Sequence, residues 1–214
     1  FEKEGKDTRF KRNGQELTGD FYFSNGYLQG IGSYDEKTGK DGEWYFYHIN
    51  GEVSNIFNYK ADKADGLCKT YYDTGILRKE EEYDNGLYNG KVRNYDVIGF
   101  ITSEMSFENG KESGAGKSFH PNGAPEYEYS FNAKGETPVT YFSENGIKTN
   151  ELVLKNGSPI GKVVYYLSNG QEDYSLMFEN GKSNGSFITH FSDGTKSVEG
   201  QFKNGEREGM WKYY

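Results

Sequence analysis

Apolar and polar residues alternate along much of this chain, in short runs that are separated by glycine-containing turns. Tyr174, Leu176 and Phe178, for example, fall on one side of an extended strand, and the residues between them fall on the other. A period of two indicates a β-strand. Asn-Gly pairs between such runs indicate hairpin turns, because these turns need positive φ angles that Gly and Asn adopt at low cost. With no stretch of helical spacing, the pattern predicts an all-β protein made of hairpins.

A glycine recurs through the sequence at a nearly constant interval of 24 residues. Thr137 occupies the one vacant slot, and a second glycine follows each slot except that of Gly209 after nine residues. The recurrent glycines are Gly42, Gly66, Gly90, Gly114, Gly161, Gly185 and Gly209. A fixed period of this length is the mark of a repeat architecture, in which each repeat packs only on its neighbours. Stacked copies of one hairpin are therefore expected.

Other residues repeat in step with this glycine, which is taken as position zero of each repeat. Position +2 holds Trp44, Cys68, Val92, Gly116, Val139, Val163, Phe187 and Trp211. Position +5 holds Tyr47, Tyr71, Tyr95, Phe119, Phe142, Tyr166, His190 and Tyr214. Because the two positions are an odd number of residues apart, either a bulge brings them to one face or both faces of the sheet are partly covered. The sequence leaves both alternatives open.

The architecture predicted from this period is an elongated, single-domain solenoid of stacked antiparallel β-hairpins over residues 10–214, after a polar lead-in over residues 1–9. Phe10 and Asn13-Gly14 resemble a degenerate first repeat. At a strand spacing of about 4.8 Å, eight hairpins would extend roughly 80 Å. The last repeat contains only half of a hairpin, so an open C-terminal edge is expected, which could be capped by missing sequence or could pair with another copy.

Composition narrows the classes of function. Aromatic residues make up 17% of the 214 residues, which is too many for a disordered chain. The net charge of −8 argues against partners such as nucleic acid or an anionic membrane, since both need a basic surface. No apolar stretch is long enough for a membrane helix, so no membrane insertion is expected. The chain begins at Phe1 rather than Met, so a removed leader and an exported location are favoured over the cytoplasm.

Residues that suggest chemistry are better explained by the repeat. His48, His120 and His190 lie about three repeats apart, roughly 30 Å, and cannot share a metal ion. Gly181 to Gly185 has Gly-x-Ser-x-Gly spacing, but a nucleophile elbow needs a helix that the pattern does not provide. Gly110 to Ser118 is similarly a false P-loop, because the following His-Pro-Asn-Gly forbids a helix. We therefore predict no enzyme activity, no metal and no cofactor.

Two further residues are expected to be structural. Cys68 lies in the +2 column and is predicted to be a small buried residue rather than a nucleophile. As the only cysteine, it excludes an internal disulfide. In the acidic run Glu80-Glu81-Glu82, a solvated strand is predicted, although Glu81 falls on the apolar face and is unusual there.

The segment from Phe178 through Gly185, Phe-Glu-Asn-Gly-Lys-Ser-Asn-Gly, resembles the core of the MORN repeat, and Phe202 through Gly209 resembles it too. The 24-residue period and the missing Gly-x-Gly after the turn are closer to the bacterial MORN-repeat variant, the antitoxin-like YwqK family. The resemblance extends over about residues 10–214. It implies a curled antiparallel sheet of hairpins, no known catalytic residues, and a role in binding, scaffolding or toxin neutralisation.

Two non-enzymatic functions are consistent with this architecture. The first is a protein-binding or scaffold module, whose acidic surface suits a basic partner. The alternative is a glycan or cell-wall binder, because Gly42 through Tyr47 followed by Asn50-Gly51 resembles the aromatic hairpins of choline-binding repeats. Rings of this kind stack on sugars or surround quaternary ammonium groups. The candidate ligand contacts are Trp44, Tyr45 and Trp211.

Overall fold

The structure is a computed structural model, and it describes residues 9–13, 16–132 and 134–214. The chain divides into two compact units, unit 1 from Phe1 to Glu112 and unit 2 from Ser113 to Tyr214. The described residues contain β-strands and no helix, which confirms the all-β prediction. Residues 1–8, which make up most of the predicted lead-in, and Gly14 of the degenerate repeat lie outside the described residues.

The strands of unit 1 are β1 (Arg9–Asn13), β2 (Glu16–Tyr22), β3 (Leu28–Asp35), β4 (Gly39–Tyr47), β5 (Val53–Lys60), β6 (Lys63–Ala64), β7 (Gly66–Tyr71), β8 (Leu77–Asp84), β9 (Leu87–Tyr95), β10 (Ile101–Glu108) and β11 (Lys111–Glu112). Those of unit 2 are β12 (Ala115–Phe119), β13 (Pro125–Ser130), β14 (Glu136–Phe142), β15 (Lys148–Lys155), β16 (Ser158–Tyr166), β17 (Glu172–Glu179), β18 (Lys182–His190), β19 (Lys196–Lys203) and β20 (Glu206–Tyr213).

Strands that follow one another along the chain pair in antiparallel ladders within each unit. In unit 1, β4 pairs with β3 on one side and with β5 on the other. In unit 2, β18 pairs in the same way with β17 and β19. The predicted series of stacked antiparallel hairpins is confirmed in both units.

The Asn-Gly turns adopt the backbone geometry that the sequence predicts. All five asparagines have φ between 50° and 52°, and each following glycine also has a positive φ: Asn85, Asn109, Asn156, Asn180 and Asn204. Two successive positive φ angles define the turn whose twist matches that of the flanking strands. These turns therefore fix the register of their hairpins.

The recurrent glycine at position zero lies in a β-bulge. Gly32 pairs with Trp44 and Tyr34 pairs with Lys40, so β4 has two extra residues where it passes β3. Gly42 lies in this bulge with a φ of 73°. A side chain in the left-handed region costs roughly 1–2 kcal/mol, which explains why glycine recurs. In the repeat where Thr137 takes the slot, the positive φ of 70° falls on Gly135 instead.

A second register shift settles which face the +5 residues occupy. Phe46 pairs with Asn55 and Tyr47 pairs with Val53, so the extra residue lies in β5 and β4 keeps its alternation. The +5 residues therefore point away from the +2 residues. In the third repeat, Tyr95 at +5 donates a 2.8 Å hydrogen bond to Glu80 of the neighbouring strand. Of the two alternatives, partial covering of both faces is the observed one.

The face that carries the +2 residues, called the inner face below, holds the core. Trp44 and Cys68 are fully buried, and Val92, Val139 and Val163 are nearly so. Burial of Cys68 confirms its predicted structural role. Both tryptophans pack over a glycine of the adjacent strand: Trp44 over Gly32 and Trp211 over Gly200. A Cβ atom at either glycine would overlap the indole, so the missing side chain makes room for the ring.

Candidate functional site

The three predicted ligand contacts occupy different environments. Trp44 has 0% exposed surface, and its Nε1 donates a 2.8 Å hydrogen bond to the Ser33 carbonyl. Tyr45 points to the opposite, outer face, where its hydroxyl donates to the Glu43 carboxylate and that hydrogen bond raises the pKa of the tyrosine. Trp211, in unit 2, is half-buried, and the Arg207 guanidinium lies 4.2 Å from the centre of its ring. Trp44 therefore has a packing role, and the Trp211 ring is partly covered by a cation.

A different group of residues stands out at the turn between β9 and β10. The backbone and Asp96 hold this turn: the Asp96 N–H donates to the Phe100 carbonyl at 2.9 Å. The Asp96 carboxylate also accepts the N–H groups of Ile98 and Phe100 at 3.0 and 2.9 Å. The side chains of Val97, Ile98 and Phe100 take no part in these bonds and are 63%, 69% and 58% exposed. Nothing in the geometry of the turn requires apolar side chains there.

Two preceding turns join this one in a continuous row. Asn50 donates a 2.8 Å hydrogen bond from its side chain to the Asp73 carbonyl, and Tyr72 donates one of 2.9 Å to the Tyr95 carbonyl. The Ile76 side chain lies against Gly99. The turns at 48–52, 72–76 and 96–100 are called the apolar turn row below. Its first turn adds Ile49, which is 66% exposed.

The charged residues of the apolar turn row are acidic. Its fifteen positions include Glu52, Asp73 and Asp96 but no lysine or arginine. Glu52 and Asp73 are exposed, and the Glu52 carboxylate reaches the middle turn, beside Gly75. A nearby cation, Arg78, lies 5.7 Å from the centre of the Tyr72 ring. The row thus combines exposed apolar side chains with carboxylates that disfavour an anionic ligand.

The corresponding turns of unit 2 have the same backbone and a different surface. The glycine N–H of each turn again donates to a carbonyl three residues earlier, as from Gly123 to His120 at 2.8 Å and from Gly170 to Leu167 at 2.9 Å. Asn122 repeats the turn-to-turn bond, reaching the Glu144 carbonyl at 2.7 Å. These turns lie at 120–124, 143–147, 167–171 and 191–195. Among their described residues, Phe191 alone is a large hydrophobic side chain of high exposure. The apolar surface in unit 1 is therefore independent of the turn geometry.

Sequence reasoning missed the apolar turn row. The signal was present at position +8, where Asn50, Asn122, Asn145 and Asn169 stand in other repeats and Ile98 stands in this one. Val97 and Phe100 flank it in the same turn. The strand columns alone do not reveal the row, because its apolar residues lie in the turns between the strands.

A buried polar cluster on the inner face surrounds Glu81. The prediction of a solvated strand is wrong for Glu81, whose side chain is almost fully buried because it lies on the inner face. Its carboxylate accepts from Lys79 Nζ at 2.5 Å and from the Tyr88 hydroxyl at 2.6 Å. Cys68 stands opposite Glu81 in the register, and burial raises the pKa of its thiol. A protonated thiol is a poor nucleophile. With the carboxylate already paired, this cluster serves to satisfy one buried charge.

Two of the three histidines contact backbone carbonyls. His48 and His120 each place Nε2 near a carbonyl of the next repeat, at 3.1 Å from Tyr71 and 2.9 Å from Phe142. Within the part of the chain that the structure describes, no group of three metal-ligating side chains occurs. Among those same residues, no helix has the length and apolar content needed to cross a lipid bilayer.

A groove of about 510 Å³ lies along β18, β19 and β20 of unit 2. Ile188 and Met210 supply its apolar lining, and Glu199, Glu208 and Lys212 supply charged groups. Hydrogen bonds from Lys196, then Lys212 and Tyr214, lower the pKa of Glu199 to about 2. Glu208 is likewise paired, with Lys203 at 3.1 Å. Because its acids are already neutralised by lysines, the groove has little electrostatic preference for a ligand.

Comparisons with known proteins do not assign a family. No protein-family model and no curated protein matches this sequence. Solved structures with similarity include a porin-like protein from Bacteroides uniformis, with 9% identity, coverage of 95% of this chain and 92% of the other, and a TM-score of 0.25. Another is a chain of the TcdB2-TccC3-Cdc42 complex, with 10% identity, coverage of 89% and 14%, and a TM-score of 0.19. These TM-scores are too low to indicate a function.

Proposed function

We propose that this protein is a non-enzymatic binding module of the MORN-repeat type that docks a protein partner on its apolar turn row, as a scaffold or an antitoxin-like protein does. The observation that carries the proposal is the exposure of Val97, Ile98 and Phe100 together in one turn, and of Ile49 at the other end of the row, in turns that do not need apolar side chains. Contiguous exposed apolar patches with a polar surround are typical of interaction sites.

The charge of the protein favours a protein partner over other macromolecules. A net charge of −8, with no lysine or arginine in the row, repels nucleic acid and anionic lipid. The glycan alternative needs ring faces that are free to stack on a sugar. Trp44 is buried and Arg207 lies over Trp211, so the protein-binding alternative is the better supported of the two.

The MORN assignment is supported by features of the turns. The resemblance rests on Asn-Gly turns at a 24-residue period, and the five asparagines share nearly one φ value. A rigid series of hairpins presents its turns at regular intervals, which suits a scaffold whose contacts are distributed along one edge.

Site-specific photo-crosslinking in an extract of the native organism tests this proposal. A crosslinking residue replaces Ile98 in one variant and Asn169, the same repeat position in unit 2, in the matched control. We expect a discrete protein, identified by mass spectrometry, to be captured at position 98 and not at position 169. The identified protein is then purified, and its affinity is measured for the wild type and for the double variant Ile98→Ser and Phe100→Ser.

Loss of affinity in the double variant, with full affinity in Phe191→Ser of unit 2, supports the proposal. Equal capture at both positions, or a partner whose affinity is the same for the wild type and the double variant, contradicts it.

A further inference from the structure

We infer that the occupant of the apolar turn row is a basic amphipathic α-helix, which lies across the three turns with its apolar stripe on Ile49, Ile76 and the Val97–Phe100 turn. The inference rests on the proposed function and specifies the chemistry of the partner. Its support comes from the spacing of the turns, from the position of the exposed carboxylates, and from the hydrogen bonds that already occupy the turn backbone.

The spacing of the turns matches the period of a helix. Adjacent turns of the row are two strands apart, which corresponds to roughly 10 Å. An α-helix rises 1.5 Å per residue and returns to the same side after seven residues, so its apolar stripe repeats about every 10.5 Å. One apolar side chain per heptad would therefore meet each turn in succession. Three heptads are enough to cross the row from Ile49 to Phe100.

An extended partner fits the same spacing poorly. At about 3.3 Å per residue, a strand needs three residues to pass from one turn to the next. Three is an odd number, so successive contacts would leave from opposite faces of the strand. Strand addition also requires free backbone groups. In the turn at 96–100, the N–H groups of Asp96, Ile98, Gly99 and Phe100 already donate within the turn.

The carboxylates of the row determine the charge expected on the helix. Glu52 reaches from the first turn to Gly75 in the middle turn, and Asp73 is exposed in that middle turn. Both acids therefore lie between the apolar side chains at the two ends of the row. Lysine or arginine residues on either side of an apolar stripe would meet them, and acidic residues there would be repelled.

Fluorescence anisotropy with three labelled synthetic peptides of 21 residues tests the inference. The first has leucine at heptad positions a and d and lysine on the flanks. The second replaces each lysine by glutamate. The third has the composition of the first, with leucine and lysine redistributed so that they alternate with a period of two. Each peptide is titrated with the full-length wild type, with the double variant Ile98→Ser and Phe100→Ser, with Glu52→Gln combined with Asp73→Asn, and with Phe191→Ser.

We expect the lysine helix to bind the wild type about ten-fold more tightly than either other peptide. The double variant should lose about ten-fold in affinity for it, and the two-carboxylate variant several-fold with a weaker dependence on salt. Phe191→Ser should bind as the wild type does. Circular dichroism of each variant checks that the fold is intact.

The other outcomes separate the two proposals. If the glutamate helix or the alternating peptide binds as tightly as the lysine helix, or if no peptide binds, the inference about the partner is wrong, while capture of a protein at position 98 still supports the proposed function. If the lysine helix binds the wild type and the double variant equally, the row is not its site. If vesicles of phosphatidylcholine and phosphatidylglycerol bind the wild type and lose binding in the double variant, the row contacts lipid, and both proposals are overturned.

Discussion

Trp44 in unit 1 and Trp211 in unit 2 stand at the same position of their repeats, and each packs over a glycine, yet their surroundings differ. Trp44 lies between Gly32 of β3 and Phe57 of β5, and its indole N–H donates to Ser33. Trp211 lies on β20, which pairs with β19 among the described strands, and its buried Nε1 has no acceptor among the described residues. The same residue at the same repeat position is a complete core element in one unit and a partial one in the other.

The turns of the two units share a backbone conformation and differ in their exposed side chains. Their backbone hydrogen bonds are alike, but unit 1 exposes Ile49, Val97, Ile98 and Phe100 where unit 2 exposes mainly polar side chains. Stability therefore depends on the inner face and on the conformation of the turns, whereas the side chains at the tips of the turns are free to serve a partner. Substitutions on the inner face or in the turn backbone should therefore lower stability, and substitutions at the tips of the turns should not.

The largest expected effect is on the core. Trp44→Ala should lower the free energy of unfolding by roughly 3–5 kcal/mol, since it removes a fully buried ring. Trp211→Ala should cost roughly 1–3 kcal/mol, because this ring is only half-buried and its N–H has no acceptor among the described residues. Urea denaturation followed by far-UV circular dichroism measures both. Equal losses would show that the two indoles contribute alike and would contradict the comparison.

A smaller effect is expected at the buried carboxylate of unit 1. Glu81→Ala should cost roughly 2 kcal/mol, because it removes the carboxylate that accepts from both Lys79 and the Tyr88 hydroxyl. Lys79 is partly exposed and can turn to water, which limits the loss. Its control is Glu151→Ala in unit 2, where Glu151 pairs with Lys148 on the outer face; it should change stability by about 0–1 kcal/mol. A larger loss in the free energy of unfolding for Glu151→Ala than for Glu81→Ala would contradict the view that the buried carboxylate contributes more to stability than the outer one.

Replacing a bulge glycine should cause the next largest loss in the free energy of unfolding. Gly42 has open space around its Cα but a φ of 73°. Gly42→Ala should therefore cost roughly 1–2 kcal/mol from backbone strain alone. Thr137→Ala, at the equivalent slot with no positive φ, should change the free energy of unfolding by less than about 0.5 kcal/mol. If Gly42→Ala is as harmless as Thr137→Ala, the bulge does not explain the recurrence of glycine.

At alkaline pH, ionisation of Tyr95 at position +5 should lower the free energy of unfolding. Burial, followed by the hydrogen bond to Glu80, raises the pKa of Tyr95 to about 12. In the unfolded chain a tyrosine pKa is near 10, so the protonated phenol stabilises the folded state up to about pH 10, and this contribution is lost as the pH rises to about 12. Tyr95→Phe should abolish that part of the decline in the free energy of unfolding. An identical decline in wild type and variant would show that Tyr95 is not the group responsible.

The sequence was sufficient for features that depend on neighbouring residues. Asn180-Gly181 and its counterparts predicted the turns because the positive φ angles belong to those two residues themselves. The face of Tyr47 was not predictable from the sequence of β4, because that sequence does not show whether a bulge lies in β4 or in its partner. The pairing places the extra residue in β5. Glu81 was seen to fall on the inner face, but its partners Lys79 and Tyr88 emerge only from the pairing of β8 with β9. Ile98 is not predictable from the strand pattern, because it lies in a turn and its side chain is exposed.

The central claim is that the tips of the turns in unit 1 bind a partner and do not hold the fold together. The affinity of the crosslink-identified partner for the double variant Ile98→Ser and Phe100→Ser, whose free energy of unfolding should stay within about 0.5 kcal/mol per substitution of the wild type, tests this most directly. We predict a loss of about ten-fold or more in affinity. An unchanged affinity in this folded variant would contradict the claim.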